Sequence, residues 1–352
     1  MKYLVSGYIG YGNVGDEVIL RQIVRDVTAL DPAAEFAVLS GDPAATRREH
    51  GVHAYPRAHP SGVLRGLGWC DVLISGGGTL LQDVTSPRPP VYYGGITMLA
   101  RLLRKPYIVY AQGLGPLTRP LSRAIATATL DHADVVCLRD AESVALAREL
   151  GVDRDIDVVS DPAFGMEHVP GEHAPGTRPR IVVALRDWAR SEEVADTVSA
   201  ALSSMAATVD VTIVVMQPRD REIAVRVHDA LGGQALIVDC DQPISARVSA
   251  IQSADLTLGM RLHALIIAAA ATRRIVALSY DPKVDALAAS LGAPVFRIDD
   301  SRLSASALAV TLEAQLREHS IGYERRVAEL RSYAARPAKA TVRLAKSQAR
   351  RP

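Results

Sequence analysis

Leu256-Thr257-Leu258-Gly259-Met260-Arg261-Leu262-His263-Ala264-Leu265-Ile266-Ile267-Ala268-Ala269 leads, through a short basic turn, into Arg274-Ile275-Val276-Ala277-Leu278-Ser279-Tyr280-Asp281-Pro282-Lys283. The order is strand, turn, helix, strand, turn. Each apolar run is continuous rather than alternating, as expected of strands covered on both faces of a parallel sheet. Ligands of such sheets bind at the carboxyl ends of the strands. Arg261, His263 and Lys283 are therefore expected side by side at that edge, and two fixed cations beside an imidazole suggest an anionic substrate.

The same alternation runs outward in both directions. In the first half the strand-like runs are Tyr3–Ile9, Glu35–Ser40, Asp71–Ser75, Pro106–Gln112, Val135–Leu138 and Asp157–Ser160, with helices expected over Asp16–Leu30 and Arg119–His132. In the second half they are Ile181–Leu185, Val211–Gln217, Ala235–Asp239, Leu256–Leu258, Arg274–Tyr280 and Pro294–Ile298. Met166 to Arg180 breaks the pattern with prolines, glycines, His168 and His173, all read as loop. The expected class is α/β, two doubly wound Rossmann-like domains facing each other across a cleft. The expected boundaries are 1–168 for the first domain, 169–180 for a linker, 181–303 for the second domain and 304–335 for closing helices. The segment 336–352 holds six Lys/Arg and no Asp/Glu, and is expected to be a mobile basic tail with weak attraction to anionic lipid headgroups.

A chain of 352 residues suits two cores. Its formal charge of +1 gives no global drive toward nucleic acid. Cys70, Cys137 and Cys240 are scattered without metal-ligand spacing, which fits a reducing compartment. No apolar run approaches the ~20 residues that span a bilayer. With no signal-peptide layout before Tyr3, the expectation is a cytoplasmic enzyme, peripheral at the inner membrane face through its basic tail.

Gly10-Tyr11-Gly12-Asn13-Val14-Gly15 follows the first strand and opens a helix, matching a dinucleotide fingerprint. Asp16-Glu17 at the helix start opposes a pyrophosphate, because the carboxylates themselves complement the helix dipole. Asp16 suits sugar hydroxyls or proton transfer, or else simply caps the helix. Gly76-Gly77-Gly78-Thr79-Leu80-Leu81-Gln82-Asp83, Gln112-Gly113-Leu114-Gly115-Pro116, Arg139-Asp140 and Asp161-Pro162-Ala163-Phe164 end other strands at the same edge. Taken together, they describe one floor of a binding cleft.

In their order and spacing these motifs, with Arg261-Leu262-His263-Ala264-Leu265 and Tyr280-Asp281-Pro282-Lys283, resemble the polysaccharide pyruvyltransferase family, in its bacterial CsaB branch. The resemblance runs from Tyr3 to about Gly292. It implies a GT-B-like fold and transfer of a pyruvyl group from phosphoenolpyruvate to a sugar as a cyclic ketal. For the CsaB branch it implies a 4,6-ketal on N-acetylmannosamine of a lipid-linked secondary cell-wall polymer, the group that S-layer-homology domains bind. The family's cationic residues fall on Arg139, His263 and Lys283.

Phosphoenolpyruvate needs fixed cations for its carboxylate and phosphate, for which Arg and Lys are suited. The expected donor residues are Arg139, Arg186, Arg261, His263 and Lys283, with Trp188 a possible platform or packing residue. The expected catalytic group is His263, Arg139, Lys283 and Asp16. The expected acceptor residues are Asn13, Asp16, Gly77, Gly78, Gln82, Asp83 and Gln112. No metal site and no cofactor are expected, since no Asp-x-Asp sits at a strand end. The main alternative is a nucleotide-sugar glycosyltransferase or epimerase of the same fold. A nicotinamide oxidoreductase and a non-enzymatic sugar-binding protein follow.

Overall fold

A computed structural model describes residues 1–84, 86–167, 178–318 and 320–349. Its strands are β1 (Lys2–Ile9), β2 (Glu35–Ser40), β3 (His53–Pro56), β4 (Val72–Ser75), β5 (Gly78–Leu81), β6 (Tyr107–Leu114), β7 (Val135–Leu138), β8 (Asp157–Val158), β9 (Arg180–Ala184), β10 (Asp210–Val214), β11 (Leu236–Val238), β12 (Leu256–Gly259), β13 (Arg274–Ser279) and β14 (Val295–Arg297). The first eight form one sheet in the order β3-β2-β1-β4-β6-β7-β8, with β5 attached to β6. The other six form a second sheet, β11-β10-β9-β12-β13-β14. Every pairing is parallel. The protein is α/β with two Rossmann-like domains.

Parallel strands require crossovers, and helices supply them. In β1 the inward residues divide by period two. Tyr3 and Val5 join a cluster with Ile23, Ile74, Ile108 and Tyr110, while Leu4 joins Leu73, Val109 and Val136 on the other face. The second sheet has its own core around Ile181, Val183, Leu258, Val276 and Leu308.

Contacts divide the chain into two compact units. The first comprises Met1–Tyr11, Asp16–Gly165 and the chain from Leu330 onward. The second comprises Gly12–Gly15 and Met166–Glu329. The expected strands are all present. Two more, β3 and β5, were not expected, and β5 turns part of the supposed Gly76–Asp83 loop into sheet.

The expectation of a mobile tail from Arg336 is wrong. Residues Arg336–Ala349 form a helix. Its Ala338, Val342, Leu344 and Ala345 enter the core cluster beneath the first sheet. Apolar residues recurring every three or four positions give one buried face, and the cations occupy the opposite one. Among the described residues no helix is long and apolar enough to cross a membrane. His168 and His173, with most of the expected linker, lie outside the described residues.

Candidate active site

Both sheets reverse their strand order between the first strand and the fourth in the path, β1 beside β4 and β9 beside β12. Two adjacent strands whose crossovers leave in opposite directions open a crevice at their carboxyl ends. Asp16 and Gly77 follow the strands of the first switch point and Arg186, Arg261 and His263 those of the second, while Gln112 lies in β6 and Arg139 and Lys283 follow β7 and β13.

In the second unit Arg186 follows β9, Arg261 and His263 follow β12, and Lys283 follows β13. Because β12 pairs with both β9 and β13, the three turns emerge next to one another. Arg186 is buried, its guanidinium 4.5 Å from the Trp188 ring centre and 4.8 Å from that of Tyr280. One of its terminal nitrogens donates to the Tyr280 hydroxyl. Its Nε is buried with no hydrogen-bond partner among the described residues. A buried donor left unmade costs about 1–3 kcal/mol, so such an atom at a strand end points to a ligand.

Arg261 has a different arrangement. Its Nε donates to Asp220 Oδ2 at 2.8 Å and its Nη2 to Asp220 Oδ1 at 2.5 Å, with Gln217 Oε1 at 3.2 Å. The same carboxylate accepts from the Asp187 amide at 3.2 Å. The planar fork is thus matched to a buried carboxylate, and Arg261 braces the turns after β9 and β12 rather than presenting a free bidentate face. Lys283 Nζ lies 3.0 Å from Asp281 Oδ2, both partly exposed. Asp281 also caps the helix Pro282–Leu291 by accepting from the Lys283 amide. His263 is in the first turn of the helix Leu262–Ala270. A Cβ on Gly15 would stand 2.1 Å from His263 Nδ1, so glycine is what lets the imidazole rest against that backbone.

In the first unit Asp16 is buried, with Oδ1 at 3.2 Å from where a Gly78 Cβ would be. Gly78 has φ +86°, open to glycine at little cost. Gly77 is packed on Ile19. Glu17 has a role that sequence reasoning missed. Its Oε1 accepts from the Gly10 amide at 2.8 Å and its Oε2 lies 2.7 Å from His50 Nε2. Asn13 Oδ1 takes the Gly15 amide at 3.2 Å, and Val14 donates to Met216 O at 3.0 Å within the second unit. Amides that would cradle a pyrophosphate are already engaged by the chain itself, which disfavours the dinucleotide reading.

Gln112 is buried, and its Nε2 donates to both Ser75 O (2.9 Å) and Ser75 Oγ (2.8 Å). Its Oε1 is buried without a partner among the described residues. Asp83 is built into the loop wall: it accepts from the Thr118 amide, the Thr118 hydroxyl and the Arg119 amide at 2.8–3.0 Å. Gln82 Oε1 takes the Val84 amide at 3.0 Å. Arg139 is held by Thr79 Oγ1 at 2.9 Å, Asp140 Oδ2 at 3.3 Å and Asp161 Oδ2 at 3.4 Å. Two carboxylates beside one guanidinium leave that nest net negative. Among the described residues no group of three His, Cys, Asp or Glu side chains could hold a metal.

The model of one family, polysaccharide pyruvyl transferase, matches residues 13–282. The chain belongs to this family. The match takes in the site residues from Asn13 to Pro282, and Lys283 is the next residue beyond it. No curated protein matches the chain. Among solved structures, Anabaena HepE in complex with UDP and glucose is similar with TM-score 0.63 at 11% identity, covering 99% of this chain and 100% of that one. S. aureus MnaA with UDP gives TM-score 0.67 at 9% identity, covering 97% and 95%. The spinosyn rhamnosyltransferase SpnG gives TM-score 0.57 at 15% identity, covering 98% and 100%. At these identities the likeness is one of fold alone.

Proposed function

We propose that the protein transfers the pyruvyl group of phosphoenolpyruvate onto a sugar as a 4,6-ketal and releases phosphate. The acceptor in this reading is N-acetylmannosamine of a lipid-linked secondary cell-wall polymer precursor, as in the CsaB branch, and the product serves S-layer anchoring. The observation that carries the donor assignment is the buried Arg186 Nε, without a partner among the described residues, in a turn neighbouring those of His263 and Lys283 within a pyruvyl transferase chain.

In this mechanism Arg186 takes the planar carboxylate, and Lys283 leaves Asp281 to meet the phosphate as a point charge. One sugar hydroxyl adds through oxygen to C2 of the enol as C3 gains a proton. The C2–O bond to phosphate then breaks, and the second hydroxyl closes the ring and releases its proton to the leaving phosphate. His263 binds that phosphate or moves one of these protons, a role worth about 10²–10⁴-fold in rate. Within the first unit, Asp16 is the proton-transfer group, and Arg139, held by Asp140 and Asp161, orders the strand ends beside it. Asp16, Gly77, Gly78 and the Gln112 side-chain carbonyl receive acceptor hydroxyls, with Gln82 and Asp83 shaping the loops around them. No metal or cofactor takes part, so turnover should survive chelation. The exposed cations of the last helix hold the protein at an anionic inner membrane surface, near its lipid-linked acceptor.

A second reading, a nucleotide-sugar glycosyltransferase or epimerase, is favoured by UDP-bound proteins among the fold neighbours. One assay separates the two. The chain is incubated with phosphoenolpyruvate and nitrophenyl-linked N-acetylmannosamine, and phosphate release is measured beside turnover of UDP-sugars. Acceptor-dependent phosphate release is expected, with Lys283→Ala raising the KM for phosphoenolpyruvate tenfold or more, the scale of a lost charge-assisted contact of ~1.5–3 kcal/mol. Turnover of UDP-sugars alone would replace the first reading with the second.

A further inference from the structure

Outside the groups assigned above, the carboxyl edge of the first sheet carries an aromatic nest. Arg57, just past β3, has its guanidinium carbon 4.3 Å from the Tyr92 ring centre, 5.2 Å from Tyr93, 5.4 Å from Tyr11 and 6.0 Å from Tyr8. Its Nη1 donates to Gly7 O at 3.0 Å and its Nη2 to the Tyr93 hydroxyl at 3.1 Å. Among the described residues it forms no ion pair with a carboxylate. The tyrosine rings and two neutral oxygens therefore hold the cation in place.

The outer part of the nest is open. Tyr8 and Tyr11 are 37% and 41% exposed, although they flank the buried end of β1. Their rings are stacked, centres 4.4 Å apart and planes 15° from parallel. Tyr11 is seated on the backbone of Gly41, where a Cβ would come within 2.7 Å of Tyr11 Cζ. Two solvent-facing rings fixed by a glycine beneath and a guanidinium beside them form a rigid surface with little rotamer entropy to lose. The nest also adjoins the acceptor group. Burial raises the Tyr93 hydroxyl above its ordinary range, the Arg57 guanidinium and its hydrogen bond work against that rise, and the Asp16 carboxylate adds to it.

We propose that Tyr8 and Tyr11 form a second saccharide subsite, taking the apolar C–H face of the pyranose ring next to the one modified, with Arg57 as the positioning residue. A pyranose has one face poor in hydroxyls, which packs on aromatic rings while the polar rim stays hydrated. A polymer acceptor has such a neighbouring ring, and the run from Asp16 through Tyr93 and Arg57 to Tyr11 stays within one unit. The inference rests on the assignment of the acceptor to that unit.

The test is calorimetric titration of the full chain with two methyl glycosides, N-acetylmannosamine and N-acetylmannosaminyl-N-acetylglucosamine. The wild type should bind the disaccharide about tenfold more tightly, the scale of aromatic packing. Tyr8→Ala and Tyr11→Ala should lose that preference and leave monosaccharide affinity unchanged, while Tyr11→Phe, which keeps the ring, should retain it. Arg57→Gln should reduce the preference without changing the KM for phosphoenolpyruvate. A wild type without the preference, or one kept in both alanine variants, overturns the subsite. Phosphate release from phosphoenolpyruvate is recorded on the same samples. Its absence beside an intact, tyrosine-dependent preference removes the pyruvyl transfer reading and leaves the subsite standing.

Discussion

At the scale of single residues, the side chains fall into those that finish the turns and those left with something to bind. Asp83 finishes a turn. Burial pushes its carboxyl up, but the amides of Thr118 and Arg119 and the hydroxyls of Ser122 and Thr118 outweigh burial and hold it below the usual aspartate range. A carboxyl depressed in the folded state contributes stability that is present above its unfolded value and disappears as pH falls through the folded one. Asp83→Asn should therefore lower stability by about 1–3 kcal/mol at pH 7 and have a smaller effect near pH 3, read from urea unfolding at the two pH values. Arg186 and Gln112 are in the other class, each with one buried atom lacking a partner among the described residues. The sequence made the cations visible as candidates. Their partners could not be read from it, because Asp220 lies 41 residues before Arg261 and Asp161 lies 22 after Arg139. Such pairings follow from which strands become neighbours, which local spacing does not encode.

At the scale of elements, apolar runs announced most strands, and what escaped did so for identifiable reasons. β3 is an edge strand of half-buried residues ending in proline, and β5 begins at a glycine of positive φ, so neither has an apolar run to detect. In the last helix, charge masked the periodicity. Arg336, Lys339, Arg343 and Lys346 are exposed while Ala338, Val342 and Ala345 are buried, so one sequence carries both a basic stripe and a core face. The two faces make separable predictions. Val342→Asp should destabilise the first unit by about 3 kcal/mol or more, because it places a charge in an apolar cluster. Replacing Lys339, Arg343 and Lys346 by Glu should leave the melting temperature nearly unchanged and abolish flotation with phosphatidylglycerol vesicles at low salt, each basic residue contributing about 1 kcal/mol near such a surface.

At the scale of the whole molecule, the first unit is discontinuous: the chain leaves it after Gly165 and returns at Leu330. A chain ending at Glu329 should therefore lose the cooperative unfolding of the first unit while the second keeps its own transition, followed by calorimetry. The fold class was legible throughout because two runs of strand and helix repeat one pattern, whereas this return was hidden behind a composition that reads as a tail. The returning helix also has a bearing on how the protein is made. β8 closes at Val158 and the covering helix starts at Arg336, so at about 5–20 residues per second a ribosome needs roughly 10–35 seconds between the two. During that interval the nascent sheet displays Ile108, Tyr110 and Cys137 with part of their cover not yet synthesised, an opening for chaperone capture that closes only when the last turns leave the exit tunnel.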